Sequence, residues 1–380
     1  MKRLDEKRLA ANVDAIAAYD LENKKVFGSA YWVMQEGHTV LQRCYGVAGM
    51  DSAAPVTEST IFRMASMTKP ITAVAVLLLV ERGLLSLSDP VSRYLPEFQD
   101  LEIRQVTEEG IRSVGRAQTP ITITHLLTHT SGFGSENAKM AEITDGDRAT
   151  VDSFLAYHLR QGLDFEPGTR QQYSGSAAFD LLVKIIEQVT GTDYLTFLQE
   201  AVFAPCGMTD TTFVPTAEQW ARMMDLHIRV DGRNALAPTR AGCVHFDFPC
   251  THYLGGAGLV STLQDYARFA AMLLQEGDTP QGRLLRPETV AQMAIPYVPR
   301  SIMPGCENWG LGVRVIADET YPCHLPVGSF GWSGAYGTHF WIDPTNRIAA
   351  VFMKNSRVDG GSFNESACNF EKAVHAALVE

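Results

Sequence analysis

"RMASMTKPITAVAVLLLVERG", Arg63 to Gly83, decides how this chain is read. Ala73 to Val80 is almost continuously apolar, as in a buried helix, yet Lys69 stands at its entrance, three residues after Ser66 and directly before Pro70. Lysine is seldom fully buried without a partner. Pro70 fixes where the helix begins, because its ring clashes with the carbonyl four residues back once that residue is helical. The helix therefore starts no earlier than about Ser66, with Lys69 one turn on. Residues three apart share a helix face, so the hydroxyl and the amine can meet. The helix start also offers free N–H groups and a partial positive charge, which suit an oxyanion forming on an attacked carbonyl. Burial and positive neighbours disfavour the ammonium form, and a neutral amine can take the serine's proton without a histidine. The tetrapeptide alone is weak, since Ser66 as an N-cap and Lys69 as a snorkelling surface residue would fit it too.

The 380 residues suffice for a sizeable core and for two lobes. A formal charge of −11 argues against nucleic acid as the main partner, which would favour a basic face. The first nineteen residues, "MKRLDEKRLAANVDAIAAY", carry charges throughout and lack the apolar core of a secretory signal. Leu9, Val13 and Ile16 fall at helical spacing instead. No apolar window is long enough to span a membrane. The seven cysteines are odd in number, dispersed and without a C-x-x-C pair, so they read as free thiols of a reducing compartment, and the expected location is cytoplasmic.

"SAYWVMQEGHTVLQRCYGVAG" is expected to form a β-hairpin turning at Glu36-Gly37. "HFWIDPTNRIAAVFMKN" is expected to form two more strands about the turn 343–346, and 365–378 a closing helix. Arg82-Gly83 ends the Ser66 helix. Residues from about Leu87 to Pro249 read mainly as short helices and loops. The expected architecture is a mixed α/β sheet lobe from 1–86 and 250–380, with a mainly helical lobe, 87–249, inserted into it and a cleft between the two.

"FRMASMTKPITAVAVLLLVERGLLSLSDPVSRYLP" resembles the nucleophile region of serine β-lactamase-like and penicillin-binding-protein-like enzymes, and is most similar to the class C and family VIII-type esterase branch. The likeness continues through "ITITHLLTHTSGF", "FEPGTRQQYSG", "LGGAGLVSTLQDYARFAAMLL", "NWGLGV" and "GWSGAYGTHFWIDP", in family order from about residue 26 to 355. It implies the β-lactamase-like two-lobe fold and an antiparallel sheet flanked by helices. It also implies a catalytic set of Ser66, Lys69 and Tyr173. The Y-x-N motif of such enzymes is matched by Tyr173-Ser174-Gly175, with glycine in place of the asparagine that would contact a substrate amide. The K-T-G or H-x-G motif is matched by Trp332-Ser333-Gly334, with tryptophan in place of the basic residue. Glycine there is expected to let substrate approach the strand closely, and the N–H groups of Ser66 and Ala335 would form the oxyanion hole. Trp332, Ser333, Gly334 and Gly175 are the expected substrate-contacting positions. Tryptophan offers an apolar face and one N–H but no charge, which shifts the expected substrate from β-lactams towards esters.

Rival patterns are poorer. "GWSGA" comes within one residue of a G-x-S-x-G elbow, but that motif needs a helix next, and "YGTHFWI" reads as a strand. His125 and His129 are four apart without an evident third ligand, while His245 and His252 near Cys250 match no zinc spacing. Trp309 reads as core or cleft wall. The expected function is hydrolysis of small esters through an acyl-enzyme, with no metal or organic cofactor, and either Lys69 or Tyr173 as base. The alternatives are a D-amino-acid peptidase or amidase, a weak β-lactamase, an acyltransferase, or a silent ligand-binding member. The sequence does not give the oligomeric state.

Overall fold

The apolar runs near the two ends of the chain meet in one sheet. The computed structural model describes residues 1–51, 53–107, 110–134, 150–231, 233–236 and 252–380. Numbered in chain order, the sheet strands are β1 (Gly28–Gln35), β2 (His38–Gly46), β3 (Glu307–Trp309), β4 (Arg314–Ile316), β5 (Phe330–Ser333), β6 (His339–Asp343) and β7 (Ile348–Met353). They lie in the order β3-β4-β5-β6-β7-β1-β2, antiparallel throughout. The hairpin β1–β2 turns through Glu36 and Gly37, both at positive φ, as a two-residue loop of matching twist requires. The helices used below are α1 (Glu6–Glu22), α2 (Thr68–Glu81), α3 (Ala177–Thr190), α4 (Leu263–Leu274) and α5 (Glu365–Ala376).

Every residue of β1 and β7 is buried, because helices cover both faces of the sheet. Successive side chains on a strand point to opposite faces. Tyr31, Val33, Trp341 and Phe352 join Leu9 and Val13 of α1 and Phe370 of α5 in one cluster. Trp32, Trp332, Phe340 and Val351 join α2 and α4 in the other. Thr68 to Leu79 of α2 are buried without a break, which is why this helix is apolar all round.

One finding extends the sequence reading and another corrects it. The stretch 87–249, read as mainly helical, also carries two hairpins: Glu102–Thr107 pairs with Gly110–Arg116, and His227–Val230 with Arg233–Leu236. Both are short and polar, so they lack the apolar alternation that marked the sheet strands. Cys323 and Cys368 are joined as a disulfide, against the reading of all seven cysteines as free thiols. They are 45 positions apart and meet only because the segment after Tyr321 packs beneath α5, which spacing does not reveal. Cys44, Cys206 and Cys306 are free, while Cys243, Cys250 and His245 lie outside the described residues. Among the described residues no helix is long and apolar enough to cross a membrane.

Candidate active site

The chain enters the site through a sharp bend. Strand Ile61–Arg63 pairs with Val260–Thr262, and Ala65 then takes φ 45°, a conformation that costs a non-glycine residue on the order of 1–2 kcal/mol. The single turn Ala65–Met67 carries Ser66 and runs directly into α2. Ser66 is partly exposed at this turn. Pro70 is the third residue of α2, where its missing N–H has no intrahelical partner to lose.

Lys69 is fully buried, and its Nζ donates to the carbonyls of Gly175 (2.7 Å) and Gly256 (2.8 Å). These two bonds orient the amine and leave one of its hydrogen-bonding positions uncommitted to them. A Cβ on residue 256 would lie 2.7 Å from the Gly175 carbonyl and 2.9 Å from Nζ, so only glycine admits the lysine here. The loop carrying Gly256 is itself pinned to α2. Thr72 Oγ1 donates to the Gly255 carbonyl (2.6 Å), and Leu259 N–H donates to Thr68 Oγ1 (3.2 Å).

Tyr173 lies against Lys69, with Nζ 4.9 Å from its ring centre. His129 holds the tyrosine segment from both sides. Its carbonyl accepts from Gln172 N–H (3.0 Å) and its Nδ1 from Ser174 N–H (3.1 Å). The ring is buried against Tyr173 and Trp309, with centroids 4.6 and 4.3 Å away. Burial, then the Lys69 charge, hold His129 well below the ordinary histidine range, so it stays neutral and Nδ1 remains an acceptor. His125, four residues before His129, has its Nδ1 bonded to Thr122 N–H in a helix cap. Among the described residues no group of three or more His, Cys, Asp or Glu could hold a metal ion.

The third segment arrives from β5. Trp332 is buried against Trp309 and Tyr173, and its Nε1–H donates to the Tyr173 phenol oxygen (3.3 Å). Gly334 abuts the turn that carries Ser66, and a Cβ there would lie 2.3 Å from the Met64 carbonyl. The glycine is thus needed by the protein's own backbone, a reason different from the substrate approach expected from sequence. Ala335 is exposed, and among the described residues its N–H has no backbone acceptor. Ser333 points away from this cleft, bonded to His339 behind the sheet (2.8 Å). It therefore does not line the site with Trp332 and Gly334.

Asp180 was not anticipated. It is fully buried on α3, and neither oxygen meets hydrogen-bond geometry, although the Gly255 N–H approaches it. Burial pushes its carboxyl up to about 7 against the pull of the Lys69 charge. A carboxylate inside the apolar run "AAFDLLVKII" was the available signal.

The buried histidines make stability depend on acid. Burial lowers His158 and His252 to about 4. Their stabilisation is therefore complete above the unfolded value of 6.5 and is lost as pH falls towards 4. Asp180, which is raised, works in the opposite direction over the same range, while His129, lowered by burial, adds to the loss. Urea denaturation at pH 7.5 and 4.5 should show the lower midpoint in acid.

A serine on the turn that leads into α2, a buried lysine three residues on, a tyrosine against that lysine and a strand end abutting the serine's turn form the candidate active site. The family model described as Beta-lactamase matches residues 10–367, and the chain belongs to that family. It is 30% identical over 395 residues to the esterase EstB of Burkholderia gladioli, covering 94% of this chain and 93% of the relative. It is also 30% identical to the acyltransferase calJ of Penicillium decumbens, over 80% and 79% of the two chains. The solved structure of EstCE1, a hydrolase with promiscuous acyltransferase activity, superposes with a TM-score of 0.83. The superposition covers 97% of this chain and 99% of that one, at 24% identity, which shows the shared fold.

Proposed function

We propose that the protein hydrolyses small carboxylic esters through an acyl-enzyme on Ser66. Lys69 and Tyr173 share the proton transfers, and the N–H groups of Ser66 and Ala335 hold the oxyanion. The observation that carries the ester reading is Trp332. Where the family's basic residue would meet a substrate carboxylate, an indole instead closes the cleft and spends its one N–H on Tyr173 (3.3 Å). With Trp309 it forms an apolar wall suited to an uncharged acyl or alcohol group. Gly175 presents its carbonyl to Lys69 and has no amide to offer a peptide or lactam. The esterase and acyltransferase names of two relatives support the same acyl-enzyme, with water or a second alcohol as acceptor.

The test is a p-nitrophenyl ester series, nitrocefin and a fluorophosphonate probe applied to the native protein and to Ser66→Ala. Ester turnover and labelling are expected, both lost in Ser66→Ala. A native protein that neither labels nor turns over any ester overturns the enzymatic reading. Nitrocefin turnover faster than every ester overturns the substrate class.

A further inference from the structure

Behind the sheet, on the face away from the cleft, lies a buried polar chain. Ser333 Oγ bonds His339 Nδ1 (2.8 Å), and His339 Nε2 bonds Glu371 Oε1 (2.8 Å). Arg314 donates to the same Glu371 oxygen (2.9 Å), and the Tyr321 hydroxyl donates to Oε2 (2.8 Å). Arg314 also donates to the Tyr321 oxygen (2.8 Å) and pairs with Glu307 at 3.2 Å. Ser333, His339, Arg314 and Glu371 are each at most 3% exposed. Burying such charges is costly unless every group is satisfied. The chain ties β3, β4, β5 and β6 to α5. Arg314 holds Glu371 below the usual carboxylate range against its burial. His339, lowered by burial, then stays neutral, donates from Nε2 to the carboxylate and accepts a hydrogen bond from the Ser333 hydroxyl at Nδ1.

A serine, histidine and glutamate in hydrogen-bonded series resemble a nucleophilic triad. Ser333, however, faces α5 and is closed to substrate. Its position in the ladder indicates another role. Ser333 and His339 are direct cross-strand partners, the last pair before the turn that carries Ala335. That turn closes through Gly334 N–H to the Thr338 carbonyl (2.7 Å) and Gly337 N–H to the Gly334 carbonyl (2.9 Å). The side-chain bond locks the rung on which the turn stands.

We propose that Ser333, His339 and Glu371 are positioning residues for ester turnover, holding the Trp332–Ala335 segment so that the Ala335 N–H meets the oxyanion. This rests on the acyl-enzyme reading above. Because the array acts in the transition state, loosening it should lower kcat and spare KM.

The test measures two things in Ser333→Ala, Ser333→Thr and Glu371→Gln. One is kcat and KM on a p-nitrophenyl ester, the other amide hydrogen exchange across 334–338. Ser333→Ala and Glu371→Gln are expected to exchange faster at the turn. Their kcat should fall about tenfold, part of the 10²–10³-fold loss that follows removal of an oxyanion donor. KM should be unchanged, and Ser333→Thr, which keeps the hydroxyl, should restore both readouts. Unchanged exchange in Ser333→Ala overturns the positioning role whether or not the protein is an esterase. Faster exchange with native kcat, in a protein whose turnover requires Ser66, overturns its link to catalysis alone. Absence of any Ser66-dependent turnover removes the acyl-enzyme reading, and the catalytic part of this proposal with it.

Discussion

Ser66→Ala and Lys69→Met are each expected to lower kcat/KM on a p-nitrophenyl ester by about 10³-fold or more, and the double variant to lose no more than either alone. The geometry gives the reason. Lys69 has two N–H groups committed to the Gly175 and Gly256 carbonyls, and its remaining position is the one that would serve Ser66 in the proposed mechanism. A nucleophile without its base and a base without its nucleophile are equally idle, hence the non-additivity. Methionine fills the lysine's space without charge, but it leaves both carbonyls unpaired at about 1–3 kcal/mol each. The thermal midpoint must therefore be followed alongside. Single-turnover acylation separates the two candidate bases. Tyr173→Phe keeps the ring contacts to His129 and Trp309 and removes only the hydroxyl bonded to Trp332. If Lys69→Met acylates at a near-native rate while Tyr173→Phe does not, the base is the tyrosine.

What could be read from sequence was local. Pro70 fixed the start of α2, Glu36-Gly37 the β1–β2 hairpin, and the continuous apolar runs of β1 and β7 a sheet covered on both faces. Family order brought Tyr173 and Trp332 into view, though no spacing could seat residues over 100 positions apart around one amine. The remainder depended on backbone groups, which a sequence does not display. Gly175 looked like the loss of a side chain, whereas in the fold its carbonyl orients Lys69. "LGGAGLV" was legible as a family block, but its need for glycine at 256 comes from the buried lysine pressing against it. His129 was set aside as a metal ligand for want of a third partner, and in the fold it braces the tyrosine segment through its ring nitrogen and its carbonyl. Asp180 was signalled only by its place inside an apolar run, and the Cys323–Cys368 bond follows from how separate elements pack, which no local pattern announces.

Gly334→Ala offers the sharpest test of how the oxyanion site is assembled. An added Cβ would sit 2.3 Å from the Met64 carbonyl and 2.2 Å from Thr338 Oγ1. The threonine can rotate away, but the carbonyl is backbone, already bonded to Met67 N–H (3.1 Å) in the turn that holds Ser66. Ordinary contact begins at 3.4 Å, so β5 and the Ser66 turn must separate by roughly 1 Å, from 2.3 to 3.4. Displacement on that scale costs about 10²-fold in rate. With the proposed roles the loss should fall on kcat, because the Ala335 N–H would be drawn away from the oxyanion while Trp332 stays against Tyr173 and Trp309. Adding Thr338→Ala should not restore the rate, since it relieves only the side-chain clash. A folded Gly334→Ala protein with native kcat would show that Ala335 is not an oxyanion donor. Rescue by Thr338→Ala would instead place the constraint in the turn itself rather than at the junction with Ser66.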